Sequence, residues 1–188
     1  MHELSGQMPT LQLRPAVEGD LPAIAALYAQ EVREGVATYE YDVPDLAQIR
    51  ERWAAIKAQG YPYLVAERDG DFAGYAYASS YRTREGYRWT VEDTVYVHPD
   101  HVGQGVGRQL LARLIEECTD LGFRQMVAVI GDRSNTASIA LHEKLGFRLV
   151  GVFEGLGRKH GRWLDTVQMQ RGLGAADDTA PEPHGRDG

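Results

Sequence analysis

Residues 89 to 108 read WTVEDTVYVHPDHVGQGVGR, an alternating stretch followed by a glycine-rich turn. Apolar and polar residues alternate from Trp89 to His98, which predicts a half-buried strand, and His98-Pro99-Asp100 ends it. Apolar residues from 104 to 121 then recur on one helical stripe. A glycine turn before a helix directs backbone N–H groups outward at the positive helix end, so it predicts an anion cradle suited to pyrophosphate. The alternative is a glycine-rich connection without a ligand.

The glycine turn differs from two common phosphate-binding loops. No Gly-Lys-Ser/Thr follows it, which excludes a Walker A loop, and Arg108 stands where the dinucleotide fingerprint has its third glycine. Three glycines in five residues nevertheless make a costly start for a helix, which favours a functional turn over a simple connection.

The sequence on either side predicts alternating strands and helices. Helices are indicated after the predicted N-cap Asp20 and after Asp45, and the Asp69-Gly70 pair predicts a hairpin turn. The remaining predicted segments are strands at 11–14, 63–67, 72–80, 126–130, 147–153 and 163–170, and a short helix from Asn135 to Gly146. Hairpins first and strand-helix alternation later predict a mixed α/β or α+β fold of about six to seven strands and about four helices.

Length, charge and cysteine content narrow the class of protein. The 188 residues predict one domain over 10–172, with a disordered leader at 1–9 and a disordered acidic tail at 173–188. A net charge of −7 argues against a nucleic-acid or anionic-membrane binder, although −3 of it comes from residues 175–188 alone. The single Cys118 excludes an intrachain disulfide, and no signal peptide or membrane span is evident, so we expect a cytoplasmic protein.

The order of segments resembles one enzyme family. The strand at 89–98, the glycine turn, the helix after it, the apolar strand at 126–130 and residues 135–147 (NTASIALHEKLGF) together resemble the GNAT acyl-CoA N-acyltransferases across nearly the whole domain. Within that family the chain looks like the phosphinothricin and methionine sulfoximine N-acetyltransferases. This narrower resemblance rests on residues 84–87 (REGY), 89–97 (WTVEDTVYV), 141–143 (LHE) and 157–165 (GRKHGRWLD). The resemblance implies the GNAT fold with a central mixed twisted sheet, acetyl-CoA as co-substrate, and a homodimer.

The resemblance also implies a cofactor site. Backbone groups of Val95, Tyr96 and Val97 would bind the pantetheine arm like an added strand. The pyrophosphate would lie on the turn, and the opening of the next helix would add further contacts. The turn residues implied are Gly103, Gln104, Gly105, Val106, Gly107 and Arg108, and the helix residues are Asn135, Ser138 and Lys144. Val102 departs from the Arg or Gln of many relatives, which removes one side-chain contact to phosphate, and Arg108 would offset it.

Acetyl transfer from a thioester requires a base for the amine and a proton source for the departing thiolate. Glu92 shares one strand face with Thr90 and Thr94 and is the predicted general base, acting directly or through water. A structural role, such as pairing with Arg82 or Arg84, is the alternative. His142 occupies the position where the resemblance implies a catalytic partner, and whether it takes the amine proton or returns one to sulfur stays open. A core histidine is the alternative there.

The predicted substrate residues are basic or aromatic and precede the catalytic strand or lie near the chain end. They are Arg82, Arg84, Glu85, Gly86, Tyr87 and Thr90, which would grip an acidic amino acid, and Lys159 and His160. A solvated hairpin tip is the alternative for the last two. His98 and His101 lack a third ligand, so no metal site is predicted.

These features predict an N-acetyltransferase that acts on a small acidic amino-acid analogue such as phosphinothricin, methionine sulfoximine or methionine sulfone. Direct attack in a ternary complex is expected, without a covalent enzyme intermediate. The alternatives are acetylation of another small amine or of a protein N-terminus, and a non-catalytic CoA-binding regulatory module. The joint presence of Glu92, His142 and the upstream arginines favours the enzyme.

Overall fold

The computed structural model describes residues 10–181, so the predicted leader and the end of the predicted tail lie outside the described residues. Within this range the chain forms one seven-stranded sheet and four α-helices. The strands are β1 Leu11–Pro15, β2 Tyr63–Arg68, β3 Asp71–Ser80, β4 Thr90–Val97, β5 Gln125–Gly131, β6 Arg148–Lys159 and β7 Arg162–Gly172. The helices are α1 Leu21–Glu34, α2 Leu46–Ala58, α3 Val106–Asp120 and α4 Thr136–Lys144. The mixed α+β fold is therefore confirmed.

The sheet has the order β1-β2-β3-β4-β5-β7-β6. All neighbours are antiparallel except β4 and β5, which are parallel. The β2–β3 hairpin turns at Asp69-Gly70, as predicted, and the β6–β7 hairpin turns at His160-Gly161, with a positive φ at all four residues. These two-residue turns match the right-handed twist of the strands they join.

Helices cover both faces of the sheet. Helices α1 and α2 pack on one face against Tyr63, Val65 and Tyr75. On the other face α3 buries Leu110 and Leu114 completely, and each such side chain contributes about 1.5–3 kcal/mol to folding. The apolar stripe of α3 predicted this burial correctly.

The two predicted helix starts behave differently. Asp45 caps α2, because its carboxylate accepts the Gln48 N–H at 2.8 Å and the Gln48 side chain returns a bond to the Asp45 N–H. Asp20 stands at the N-cap position of α1, but its carboxylate is bound by Arg14 and by the Val17 N–H instead. The predicted position is confirmed, whereas the predicted capping bond is replaced by an ion pair with β1.

The predicted disorder from residue 173 onward differs from the structure up to residue 181. Leu173 is buried at 1% exposure and joins the core. Arg124 donates hydrogen bonds to the carbonyl oxygens of Ala176, Thr179 and Ala180. Composition alone missed this packing because one leucine and one distant arginine fix a segment that is otherwise small and polar.

A search of the described helices finds none that is long and apolar enough to cross a membrane.

Candidate active site

The site lies where β4 and β5 separate. Their parallel pairing covers only Thr90 to Glu92 of β4, opposite Gln125 to Val127 of β5. Residues 93–97 have partners on the β3 side but none on the β5 side. Two cavities open at this split, one toward the glycine turn and one toward Glu92.

The larger cavity, here called the cofactor cavity, has a volume of about 630 Å³. Its lining includes eleven of the twelve predicted cofactor residues, which come from the end of β4, the glycine turn, the start of α3 and the exposed side of α4. They are Val95, Tyr96, Val97, Gly103, Gly105, Val106, Gly107, Arg108, Asn135, Ser138 and Lys144. Leu27, Glu31, Ala37 and His101 were not predicted and also line it.

The glycine turn has the backbone that an anion cradle requires. Gly103 and Gly105 have φ of 77° and 81°, a left-handed conformation that favours glycine, and Gly105 immediately precedes α3. The first helical hydrogen bond is donated by Gln109, so the N–H groups of residues 106–108 have no helical acceptor. A Cβ on Gly107 would lie 3.2 Å from Val97, so a glycine here lets α3 pack close to β4.

Gln104 is the predicted cofactor residue that does not line the cavity. Its side chain donates to the Asp100 carbonyl at 3.0 Å, and its own carbonyl accepts from Arg68 at 3.0 Å. Gln104 therefore anchors the outside of the turn with its side chain and its carbonyl oxygen, and its contact with the ligand stays a prediction. Arg68, which the sequence did not single out, fixes the turn from the end of β2.

The smaller cavity, here called the acceptor cleft, has a volume of about 190 Å³. Tyr28, Thr38, Tyr77, Glu92, Asp93 and His142 are among its lining residues. It shares Ala37, Val95, Tyr96, Asn135 and Ser138 with the cofactor cavity. A group held in one cavity therefore borders the other at the split.

Glu92 lies half-buried in this cleft, on the sheet face covered by α1 and α2. Burial, followed by the charge of Asp93, raises the pKa of Glu92 to about 7. Among residues 10–181 no side chain pairs with its carboxylate, so the alternative pairing with Arg82 or Arg84 is absent from this part of the chain. A carboxylate with a pKa near 7 can take up or release a proton at neutral pH, and Glu92 borders the cleft where a substrate could reach it.

His142 is buried on the other side of the split, at 3% exposure. Its Nε2 lies 3.0 Å from Oδ1 of Asp93, and its Nδ1 lies 2.7 Å from the carbonyl oxygen of Ser138. Burial alone would lower the pKa of His142, but the hydrogen bond and charge of Asp93 outweigh it and raise that pKa. Asp93 was not predicted as a site residue, because a strand carboxylate gives no local indication of a partner 49 residues away.

The predicted substrate residues before β4 form an exposed loop next to Glu92. Ser79 pairs with Glu92 and Ser80 with Val91, so the loop starts one pair beyond the cleft. The guanidinium of Arg82 lies 5.2 Å from the Tyr81 ring and 5.5 Å from the Tyr87 ring. In the described range neither Arg82 nor Arg84 forms an ion pair with a carboxylate, whereas Glu85 pairs with Arg88 at 3.0 Å. Gly86 lies at the centre of the exposed turn, and Thr90 is half-buried at the start of β4.

Lys159 and His160 lie at the β6–β7 turn, which is the hairpin tip of the alternative prediction. Both side chains contact protein atoms there. Lys159 is 3% exposed, and its Nζ donates to the carbonyl oxygens of Thr38 at 2.8 Å and Glu31 at 3.3 Å. His160 Nε2 lies 3.0 Å from the Gly35 carbonyl oxygen. Neither residue is among those that line the acceptor cleft, and their contact with a substrate stays a prediction.

These two residues hold residues 35–41, here called the strap, against the sheet. Ala37 of the strap lines both cavities, and Thr38 lines the acceptor cleft. Gly131 and Gly157 make room for the strap, since a Cβ on Gly131 would lie 2.0 Å from the Val36 carbonyl oxygen and one on Gly157 would lie 2.4 Å from the Tyr39 ring. The strap was not predicted from the sequence, because Gly131 and Gly157 lie outside the predicted strands and become strand positions only in the folded sheet.

Across residues 10–181 no group of three or more His, Cys, Asp and Glu side chains is arranged to hold a metal ion. Cys118 is buried, and burial raises the pKa of its thiol to about 12, so it is a core residue.

Comparison with known proteins defines the class of enzyme to which this geometry belongs. Residues 22–147 match the model of the acetyltransferase (GNAT) family, and the chain belongs to that family. A phosphinothricin N-acetyltransferase of Alcaligenes faecalis is 52% identical over 170 residues, which is 90% of this chain and 86% of that protein. The L-methionine sulfoximine/L-methionine sulfone acetyltransferase of Pseudomonas aeruginosa is 44% identical over 163 residues, or 86% of this chain and 94% of that protein.

A solved structure agrees with these relatives. The phosphinothricin acetyltransferase of Sinorhizobium meliloti, in complex with AcCoA, superposes with a TM-score of 0.89 at 49% identity, and it covers 92% of this chain and 93% of that one. The predicted GNAT fold is confirmed.

Proposed function

We propose that this chain transfers the acetyl group of acetyl-CoA to the amino group of a small acidic amino-acid analogue. Phosphinothricin, methionine sulfoximine and methionine sulfone are the proposed acceptors, in line with the activities for which the relatives are named. The observation that carries the proposal is the junction of the two cavities at the β4–β5 split, where the smaller cavity holds the Glu92 carboxylate, whose pKa is raised and with which no side chain of residues 10–181 pairs. Two substrates bound there would react directly, without a covalent enzyme intermediate.

The residues of the cofactor cavity fit acetyl-CoA. The free N–H groups at the start of α3 and the two left-handed glycines supply donors for a pyrophosphate. Residues 95–97 lack a strand partner on the β5 side, so their backbone can bind an extended amide chain like an added strand. Acetyl-CoA supplies an acetyl thioester, an activated acyl group. Asn135 and Ser138 border both cavities and would hold the end of that chain near the split.

Glu92 is the proposed general base. An α-amino group is mostly protonated at neutral pH, and only its neutral form has a lone pair for attack. A base works best when its pKa lies near the working pH, and the pKa of Glu92 is about 7. The proton of the amine would pass to the Glu92 carboxylate, directly or through one water.

The loop that precedes β4 is the proposed binding site for the acidic end of the acceptor. Arg82 and Arg84 are exposed and form no ion pair within the described range, and their loop begins after Ser80, whose partner Val91 precedes Glu92. Carboxylates and phosphinates accept paired hydrogen bonds from guanidinium groups, and Tyr87 stacks on Arg82 to hold it in place. This arrangement favours an acceptor with an anionic group beside its amino group.

The test is thiol release from acetyl-CoA with a panel of acceptors. The panel contains phosphinothricin, methionine sulfoximine, methionine sulfone, glutamate, a polyamine and a peptide with a free N-terminus. We expect turnover with at least one of the three analogues at a kcat/KM well above those of the polyamine and the peptide. Tight acetyl-CoA binding without thiol release from any acceptor would instead support a CoA-binding module, and preference for the peptide would support an N-terminal acetyltransferase.

A homodimer and a cytoplasmic location complete the proposal. Large apolar side chains are exposed on the β6–β7 hairpin, including Phe153 at 55%, Leu156 at 63% and Trp163 at 68%, and β6 is an edge strand. A second copy of the chain covering this surface would remove it from water. Sedimentation equilibrium should then give about twice the 20.9 kDa mass of the chain, and a Trp163→Lys variant should shift toward the monomer.

A further inference from the structure

Two adjacent carboxylates, those of Glu92 and Asp93, border the acceptor cleft, and only Glu92 has a role in the reaction proposed above. Successive residues of a strand point to opposite faces, so Glu92 and Asp93 flank the split from two sides. Asp93 is the more buried of the two, at 7% exposure, and lies on the side of α3 and α4.

Both ring nitrogens of His142 are occupied. A carbonyl oxygen only accepts hydrogen bonds, so the Nδ1 that faces Ser138 at 2.7 Å carries a hydrogen. Nε2 faces the Asp93 carboxylate at 3.0 Å, and the charge of Asp93 favours a second hydrogen there. His142 therefore has no free lone pair with which to take a proton from a substrate.

Within residues 10–181, the side-chain atom of the His142–Asp93 pair that lacks a hydrogen bond belongs to Asp93. Its Oδ2 is buried and has no hydrogen-bond partner in the described part of the chain. A buried acceptor without a hydrogen bond is unfavourable, and a donor entering the cleft would satisfy it. In the proposed reaction the thioester oxygen and the thiolate sulfur only accept hydrogen bonds, so the donor among the reacting groups is the amino group of the acceptor.

We propose that Asp93 is a further substrate-binding residue, whose Oδ2 accepts an N–H of the incoming amino group, and that His142 is a positioning residue acting through Asp93. The inference rests on the proposed acetyl transfer and adds where the amine is held. The amine lies between Asp93, which accepts a hydrogen bond, and Glu92, which takes its proton. The ring of His142, packed edge-on against Phe147 with centroids 4.9 Å apart, fixes the Asp93 carboxylate in place.

The experiment compares Asp93→Asn and His142→Gln with wild type. Glu143→Gln is the matched control, because Glu143 lies on the same helix, is exposed and lines neither cavity. KM and kcat are measured with the best acceptor found for wild type, and the Kd of acetyl-CoA is measured by calorimetry. A des-amino compound, which is the same acceptor without its amino group, serves as an inhibitor. Its inhibition constant is measured for wild type and each variant.

We expect Asp93→Asn to raise KM for the acceptor about tenfold or more, because the amide presents N–H groups to the amine. The Kd of acetyl-CoA and the inhibition constant of the des-amino compound should stay within about threefold of wild type. His142→Gln should raise KM less than Asp93→Asn, because Oδ2 remains a carboxylate oxygen. Nitrogen NMR of the free wild-type enzyme should show both ring nitrogens of His142 protonated at neutral pH.

An unchanged KM in Asp93→Asn, with wild type active, overturns this inference and leaves the acetyltransferase proposal standing. An equal loss of affinity for the des-amino compound overturns it too, since Asp93 would then shape the cleft and not bind the amine. An Nε2 on His142 that carries no proton would also overturn the inference. Failure of wild type to acetylate any acceptor removes the proposed function and this inference together.

Discussion

Replacing Glu92 by Gln should make the protein more stable and less active at the same time. The pKa of Glu92 rises from 4.5 to about 7, with burial as the largest cause and the charge of Asp93 second. A group whose pKa is raised on folding binds its proton more tightly in the folded state. The ionised carboxylate therefore destabilises the fold above about pH 7, and this cost disappears below about pH 4.5.

The size of the effect follows from the shift. At about 1.4 kcal/mol per pKa unit, the full shift corresponds to about 3–4 kcal/mol as an upper limit. The carboxylate keeps some contact with solvent, so we discount this to about 1–2 kcal/mol. For a chain of this length Glu92→Gln should then raise the Tm by about 4 °C at pH 8. Near pH 5 the two proteins should melt at nearly the same temperature.

The same variant should lose about a hundredfold in kcat with the best acceptor, because removal of a general base typically costs 10²-fold or more. The inflection near pH 7 in the wild-type profile of kcat/KM should also disappear. Thermal melts at pH 5 and pH 8, together with initial rates from thiol release, measure all three quantities, with Glu143→Gln as the control. A gap in Tm that does not depend on pH, or a loss of kcat below about tenfold, would refute the assignment of Glu92 as a buried base.

Two further substitutions test the cofactor turn and the strap. Gly105→Ala places a side chain at a φ of 81° and should cost about 1 kcal/mol in stability while weakening acetyl-CoA binding several-fold, measured by calorimetry. Gly19→Ala, where φ is not positive and a Cβ meets open space, is its control. Lys159→Met removes a buried ammonium from the carbonyl oxygens of Glu31 and Thr38. It should lower the free energy of unfolding, measured by urea denaturation, by about 1–3 kcal/mol, and it should raise KM for the acceptor. The exposed neighbour Arg158→Met should change stability by less than about 0.5 kcal/mol, and equal effects of the two would contradict a clamping role for Lys159.

Much of the fold could be predicted because its determinants are local. The stripe of α3, the Asp45 cap and the Asp69-Gly70 turn depend on residues within a few positions of one another. The glycine turn was recognised for the same reason. The hydrogen bond that Arg68 donates to the Gln104 carbonyl oxygen comes from a distant strand, so the local sequence does not indicate it.

The candidate site was predicted as a set of residues but not as an arrangement. Glu92 and His142 were both singled out, yet the sequence left open which of them exchanges protons with the substrates. Only the packing of α4 against β4 shows that His142 meets Asp93, and only the end of β4–β5 pairing shows why both sides of the strand reach one cleft.

Short-range periodicity and backbone preference are enough to specify the strands, the helices and the glycine turn before α3. How the charged side chains are used depends on the packing of distant segments. Lys159 belongs to a basic cluster in the sequence, but its ammonium is buried against carbonyl oxygens 121 and 128 residues away. Burial and partners of this kind fix the pKa and the hydrogen bonds of a side chain, and they exist only once distant segments of the chain have packed together.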